Sequence, residues 1–125
     1  FKRAVEILPS YSEAHNKLGV TFIDLYKYED AIEHLEWAVA YKYDFVEAYN
    51  NLGVANRELG QINNAAKNFE KAIEINPNYT LAHLNLGINF AELGQNNEAV
   101  KCFKCVISIE PDNSLAHEKL KELNS

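Results

Sequence analysis

Residues 49–78 read YNNLGVANRELGQINNAAKNFEKAIEINPN, and this stretch puts small residues where a helix usually carries bulky ones. It has a Leu-Gly pair at 52–53, a glycine at 60 and a proline at 77. A glycine inside a helix costs about 1 kcal/mol relative to alanine, and it is tolerated where a second helix must approach closely. The stretch therefore predicts two helices packed together, the first ending near Gly60 and the second before Pro77.

The same pattern recurs every 34 residues along the chain. Several rows of equivalent positions share this period, and chance is a poor explanation of their agreement. The rows are Leu18-Gly19, Leu52-Gly53 and Leu86-Gly87; Ala14, Ala48, Ala82 and Ala116; Ala31, Ala65 and Ala99; Leu35, Phe69 and Phe103, with Phe1 one step earlier; and Ala4, Ala38, Ala72 and Val106. We therefore expect an array of repeated helical units.

The pattern resembles the tetratricopeptide repeat family, whose unit is a pair of antiparallel helices about 34 residues long. The family motif carries, in order, an aromatic residue, Leu-Gly, an aromatic residue, Gly, Ala, an aromatic residue, Ala and Pro. The corresponding positions near the C-terminus are His83, Leu86-Gly87, Phe90, Gly94, Ala99, Phe103, Val106 and Pro111. The resemblance implies an all-α fold, namely a right-handed superhelical solenoid of antiparallel helix pairs.

The resemblance also divides the chain into parts of one continuous array. It implies the second helix of a truncated unit over 1–11, full units over 12–45, 46–79 and 80–113, and a C-terminal capping helix over 114–125. Local signals place helices near 1–8, 12–25, 29–42, 46–59, 63–76, 80–93, 97–110 and 114–124. The asparagines at 63–64 and 96–97 are expected to cap two of the second helices.

The first full unit departs from the motif at two positions. Tyr26 stands where the later units have a turn glycine, and Tyr43 stands where they have a proline. The segment 37–49 is also rich in aromatic rings. Either the joint between the first two full units bends differently, or these rings fill a wider gap between them.

Composition excludes several kinds of partner. The formal net charge of -6, with no basic run, is unfavourable for binding nucleic acid, which needs clustered Lys and Arg. No apolar stretch approaches the roughly 20 residues that cross a bilayer, so we expect no membrane insertion. Two cysteines in 125 residues do not suggest a disulfide scaffold and favour a reducing, cytoplasmic setting. Because the sequence has no methionine, we expect it to be a fragment of a longer protein.

No motif predicts catalysis, a cofactor or a metal site. Cys102 and Cys105 form a C-x-x-C, but a zinc site needs further ligands and a redox motif belongs at a helix N-terminus, so a structural role is expected. His15, His83 and His117 occupy equivalent places on first helices, and because the units step by about 10 Å, these imidazoles are too distant to share a metal. His34 falls on a second helix and is not expected to join them. We therefore expect no enzyme activity within this chain.

The family's concave surface is lined by the first helix of each unit. Val20, Val54 and Ile88 would form an apolar stripe there, and the Asn51 and Asn85 amides beside it would hold an extended peptide backbone. The predicted peptide-binding groove consists of Asn16, Lys17, Val20, Asn50, Asn51, Val54, Arg57, Leu84, Asn85 and Ile88. The sequence thus favours a scaffold or adaptor that binds a protein or peptide ligand, either an extended peptide or a partner helix.

Two other functions stay open at this point. The chain could be a structural module that self-associates through its repeat ends, where Phe1, Ala4, Val5 and Leu8 would be exposed. It could also be the substrate-recruiting arm of a larger enzyme. Family members that clamp an acidic C-terminal tail project clustered cations into the groove. The matching rows here lack them, so such a ligand is not expected.

Overall fold

A computed structural model describes the backbone of residues 2–124 and the side chains of residues 11–124. Over that range the chain forms helices and no strands, which confirms the all-α prediction. The helices are α1 (Lys2–Asp24), α2 (Tyr28–Tyr41), α3 (Val46–Glu58), α4 (Ile62–Ile75), α5 (Thr80–Glu92), α6 (Asn96–Ile109) and α7 (Ser114–Leu123). None of these described helices combines the length and apolarity that a membrane span requires.

Consecutive helices pack in pairs, and the pairs stack into a solenoid. Helix α1 packs on α2, α3 on α4 and α5 on α6, and each pair then contacts the helix that follows it. The first helices also touch one another, α1 with α3 and α3 with α5. The first helices therefore form one wall, and we call it the α1–α3–α5 wall.

The core lies between the paired helices and is built by the repeated small and bulky residues. Leu35, Phe69 and Phe103 are fully buried, as are the alanines one turn away on the same helices. A Cβ added to Gly87 would lie 2.8 Å from the ring of Phe103, closer than real contacts allow. The glycine of the Leu-Gly pair is thus required by helix–helix approach, as the sequence predicts.

The turns inside the second and third pairs also follow the prediction. Gly60 and Gly94 adopt left-handed φ angles of 80° and 77°, and α4 and α6 each stop two residues before their proline. The predicted asparagine caps are wrong, because α4 and α6 begin directly after Gln61 and Gln95, which make no side-chain cap. A side-chain cap occurs instead at α7, where Asn113 Oδ1 accepts a hydrogen bond from the backbone N–H of Ala116 at 2.9 Å.

The main difference from the prediction is at the N-terminus. Two helices were expected on either side of Pro9, but the backbone is one helix from Lys2 to Asp24. A proline removes one helical hydrogen bond and strains the preceding turn, but it does not by itself create a loop. The predicted exposure of Phe1, Ala4, Val5 and Leu8 lies outside the described side chains.

The continuity of α1 leaves one of its faces open. Leu18 is 44% exposed, whereas its equivalents Leu52 and Leu86 are 4% and 7% exposed. Ala14 is exposed too, although Ala48 and Ala82 at the same repeat position are fully buried. The later residues pack against a preceding second helix, and α1 has no such neighbour among the described residues.

The aromatic segment 37–49 does not simply fill a gap. Phe45 and Tyr49 pack into the core between α2 and α3. Trp37, Tyr41 and Tyr43 remain substantially exposed. Trp37 and Tyr41 stack on each other with ring centroids 5.6 Å apart, and Tyr11 lies 5.0 Å from Tyr41. Only part of the ring-rich segment therefore contributes to the joint between the units.

Candidate functional site

All ten predicted groove residues lie on α1, α3 and α5, the helices of the α1–α3–α5 wall. Their exposure divides them into two groups. Lys17 and Val20 are exposed, and Asn51, Val54, Arg57, Asn85 and Ile88 are half-buried. Asn16, Asn50 and Leu84 are buried, and Leu84 belongs to the core between α5 and α6. The three buried residues support the wall from within, and the seven exposed or half-buried residues form its accessible surface.

The asparagines tie neighbouring units to each other. Asn51 donates through Nδ2 to Asn16 Oδ1 at 3.0 Å, and Asn85 donates in the same way to Asn50 Oδ1 at 3.1 Å. Each bond joins residues 35 positions apart, so the contact repeats with the units. The accepting residues Asn16 and Asn50 are only 8% and 6% exposed. These two amides are therefore structural acceptors, a role that their repeat positions did not reveal.

Arg57 extends this arrangement toward α5. Its Nη1 donates to Asn85 Oδ1 at 3.2 Å, with a longer contact of 3.5 Å to the Asn85 carbonyl oxygen. The guanidinium carbon also lies 5.8 Å from the centre of the Phe69 ring. A guanidinium has five N–H donors, so Arg57 keeps most of its donors while it is held in place. It is the cation best positioned at the centre of the wall.

An apolar recess lies at the C-terminal end of the wall, where α7 covers α5 and α6. Its volume is about 240 Å³. Ile88 was predicted as part of the groove, but the residues that α6 and α7 contribute to the recess were missed. The signal for α7 was Leu123, which the sequence already places on the apolar side of the last helix. The lining residues are Ile88, Ala91, Glu92, Phe103, Lys119, Glu122 and Leu123.

A second recess of about 270 Å³ lies at the N-terminal end of the wall and carries charges of both signs. It includes the predicted residues Asn16 and Lys17, with Glu13, Glu47, Lys42 and Phe45 around them. The ammonium of Lys42 lies 4.8 Å from the centre of the Phe45 ring. A third recess, of about 480 Å³, is lined mostly by polar residues of α2, α3, α4 and the turn between α3 and α4, and contains none of the ten predicted residues.

The histidines bond to the protein in two different ways. His83 Nε2 lies 2.8 Å from the Pro77 carbonyl oxygen, and His117 Nε2 lies 2.8 Å from that of Pro111. His15 instead places its Nδ1 3.0 Å from Nδ1 of His34, so the expectation that His34 stands apart is wrong. The cause is α1, which stays helical from Pro9 to His15. It therefore forms no turn at the proline whose carbonyl oxygen could bond to the His15 ring.

The surroundings of His15 disfavour its charged form. Partial burial, and then the charge of His34, lower its pKa below the usual value. No cluster of three or more His, Cys, Asp or Glu side chains suited to a metal ion occurs among the described residues. The His15–His34 contact therefore acts as a link between α1 and α2.

The C-x-x-C pair sits inside α6 and is not set up for redox chemistry. Burial, followed by the neighbouring Cys105, raises the pKa of the Cys102 thiol to about 11. A redox motif needs the opposite shift, because the thiolate is the reactive form. The Cys105 sulfur lies 3.9 Å from His83 Nε2. Both thiols therefore pack within the third helix pair, in agreement with a structural role.

Models of the tetratricopeptide repeat match residues 46–79 and 81–113. The crystal structure of MamA is 30% identical, covers 98% of this chain and 71% of that chain, and has a TM-score of 0.86. The TPR domain of Arabidopsis OM64 is 23% identical, with coverages of 94% and 97% and a TM-score of 0.91. The second TPR domain of human RPAP3, solved in complex with the HSP70 peptide SGPTIEEVD, is 25% identical, with coverages of 96% and 98% and a TM-score of 0.85.

A comparison with curated protein sequences gives no match. The two family models together span more than half of the chain, and they fall on the described helix pairs α3–α4 and α5–α6. The similarity to MamA extends over nearly the whole sequence. The chain therefore belongs to the tetratricopeptide repeat family.

Proposed function

We propose that this chain is a scaffold or adaptor that binds an extended peptide along the α1–α3–α5 wall, with an apolar side chain of the peptide in the recess beside Ile88. The observation that carries the proposal is the position of this recess. It continues the partly exposed line of Val54 and Ile88 on the wall. Membership of the family, a protein-interaction fold, supports a role of this kind.

The polar groups of the wall retain capacity for a peptide backbone. An amide offers two N–H donors and an oxygen with two lone pairs. Asn51 uses one N–H on Asn16, and its oxygen accepts no hydrogen bond within the part of the chain that the structure describes. Arg57 likewise has free donors beside Asn85. These groups would bind main-chain N–H and C=O groups without selecting a sequence, while the recess selects an apolar side chain.

The charges of the wall favour a neutral or basic peptide. Glu13, Glu47 and Glu92 line or flank the two recesses, and Asp24 and Glu58 lie further along the first helices. The cations Lys17, Lys42, Arg57 and Lys119 are fewer and are spread over the whole wall. The RPAP3 domain was solved with an acidic peptide. We expect this chain to discriminate against such a ligand, because its wall has an excess of carboxylates.

Selection from a random peptide library displayed on phage, followed by calorimetry with the enriched peptides, tests the proposal. We expect the enriched peptides to be basic or neutral and to share an apolar residue. Ile88→Glu should weaken their binding by about ten-fold or more, because it puts a charge into the apolar recess. Val100→Glu on α6 makes the same change at a half-buried position outside the wall and should leave the affinity within about two-fold.

A thermal melt of each variant separates lost binding from lost folding. The exposed rim residue Glu92 supplies a second variant, because Glu92→Lys should weaken a basic peptide without disturbing the core. A selection that enriches no peptide contradicts the proposal. So does an affinity that Ile88→Glu leaves unchanged in a folded protein.

A further inference from the structure

We propose that the recess between α2 and α4 is a second binding site, and that it takes an arginine side chain of a partner protein. The recess has a volume of about 480 Å³. Its lining includes Glu29, Ile32 and Glu36 of α2, Asn56 and Leu59 at the end of α3, and Lys67 of α4. Because it contains none of the ten groove residues, this site is independent of peptide binding along the α1–α3–α5 wall.

Asn56 stands where the neighbouring units carry an aromatic ring. Its equivalents one period away are Phe22 and Phe90, and both rings are half-buried against the core clusters of their units. The family motif has an aromatic residue at this place too. The second unit therefore has a smaller, polar side chain where packing alone would favour a ring, and that side chain lines the recess.

The Asn56 amide offers an acceptor to a ligand. Asn56 is the most buried residue of the lining, at 7% exposed, and its Nδ2 donates to the Leu52 carbonyl oxygen at 3.0 Å. Its Oδ1 accepts no hydrogen bond from the part of the chain that the structure describes. This oxygen keeps some accessible surface, unlike Asn89 Oδ1, which is sealed from solvent and has no partner among the same residues. A donor that enters the recess can therefore reach an amide oxygen that is otherwise largely enclosed.

The rest of the lining suits a long cationic side chain. Glu29 and Glu36 are two helical turns apart on α2, and Ile32 lies between them on the same face. Leu59 adds an apolar contact from the end of α3. The aliphatic stem of the ligand would pack on Ile32 and Leu59, while its charged end bonds to the Asn56 oxygen and to a carboxylate at the rim.

The charges of the recess favour a cation, and hydration favours arginine over lysine. Glu29 and Glu36 outnumber Lys67, and none of the three forms an ion pair with another described residue. A guanidinium is more weakly hydrated than an ammonium, and it holds five N–H donors in one plane. It can therefore bond to an amide oxygen and a carboxylate together, and it loses less than an ammonium does on leaving water.

An NMR titration of the isotope-labelled protein tests the site. The probe is the blocked tripeptide acetyl-Gly-Arg-Gly-amide, and a second peptide has citrulline in place of arginine, which keeps the shape and removes the charge. With the arginine peptide we expect saturable shifts of the signals of α2, α4 and the Asn56 side-chain amide, and a dissociation constant of about 1 mM. Val54 and Ile88 report the wall separately. Absence of saturable shifts at the recess, or equal affinity for the citrulline peptide, overturns the proposal.

Charge variants on the two sides of the recess should move the affinity in opposite directions. Glu36→Gln should weaken binding of the arginine peptide by about three-fold or more, and Lys67→Gln should tighten it by about two-fold, because they remove an attractive and a repulsive charge. Glu70→Gln is the matched control, because Glu70 is the exposed equivalent of Glu36 in the next unit and does not line the recess. An affinity that neither Glu36→Gln nor Lys67→Gln alters contradicts the proposed site.

Asn56→Phe separates binding from folding. It restores the ring that Phe22 and Phe90 supply in the neighbouring units, so the melting temperature should be no lower than that of the parent. The same change removes the acceptor and fills the space beside it, so the affinity for the arginine peptide should fall by about ten-fold or more. A folded Asn56→Phe protein that binds the peptide as tightly as the parent would show that the amide is not part of the site.

Discussion

At the scale of single residues, Tyr26 carries the clearest local strain. It has a φ of 62°, in the left-handed region where Gly60 and Gly94 occupy the equivalent turns. A residue with a Cβ pays about 1–2 kcal/mol to adopt this conformation. The Tyr26 side chain is largely exposed and makes only an edge contact with Tyr28, at 6.3 Å between ring centroids. Little in the described structure offsets the strain.

We therefore expect Tyr26→Gly to raise the free energy of unfolding by about 1 kcal/mol. Gly60→Ala is the reciprocal change, and it should lower the same quantity by about 1 kcal/mol. No atom lies within 4 Å of a Cβ added at Gly60, so that loss would come from the backbone alone. Urea denaturation measures both. A Tyr26→Gly protein that is less stable than the parent would show that the ring contributes more than its exposure suggests.

At the scale of the helices, the sequence predicted α2 to α7 to within about a residue or two at each end, because glycine and proline act locally. It failed at α1 because a proline inside a helical pattern is compatible with both a break and a continuous helix. The asparagine caps failed for a similar reason. Asn63 and Asn96 stand one or two residues after Gln61 and Gln95, and which residue ends the turn depends on the geometry of the preceding glycine.

The open face of α1 gives a prediction about equivalent leucines. Leu86→Ala should destabilise the protein by about 2–5 kcal/mol, because it leaves a cavity beside Phe69. Leu18→Ala removes the same atoms from a side chain that is already largely in water, so we expect a loss below about 1 kcal/mol in dilute solution. Thermal melts of the two variants make the comparison. Equal losses would mean that the face of α1 is covered.

At the scale of the whole molecule, the α1–α3–α5 wall could be predicted because helical periodicity fixes which side of each first helix faces the same way. The pairing of its side chains could not. Asn50 and Asn51 are neighbours in sequence with identical chemistry, but Asn50 is buried as an acceptor and Asn51 reaches back to the previous unit as a donor. The different roles of Asn50 and Asn51 arise from the way neighbouring units are offset, and the sequence of one unit alone does not specify that offset.

These two hydrogen bonds couple successive units, and their removal should therefore loosen the array as a whole. Asn51→Ala leaves the buried Asn16 oxygen without its donor, which costs about 1–3 kcal/mol, and Asn85→Ala does the same to Asn50. Because a solenoid gains stability from contacts between neighbouring units, we expect the two losses to add and the denaturation transition to broaden in the double variant. Amide hydrogen exchange would locate the effect, with Asn51→Ala lowering the protection of α1 and α2 relative to α5 and α6. Uniform protection across all helices, or unchanged stability, would show that apolar packing alone joins the units and that these amides are available to a ligand.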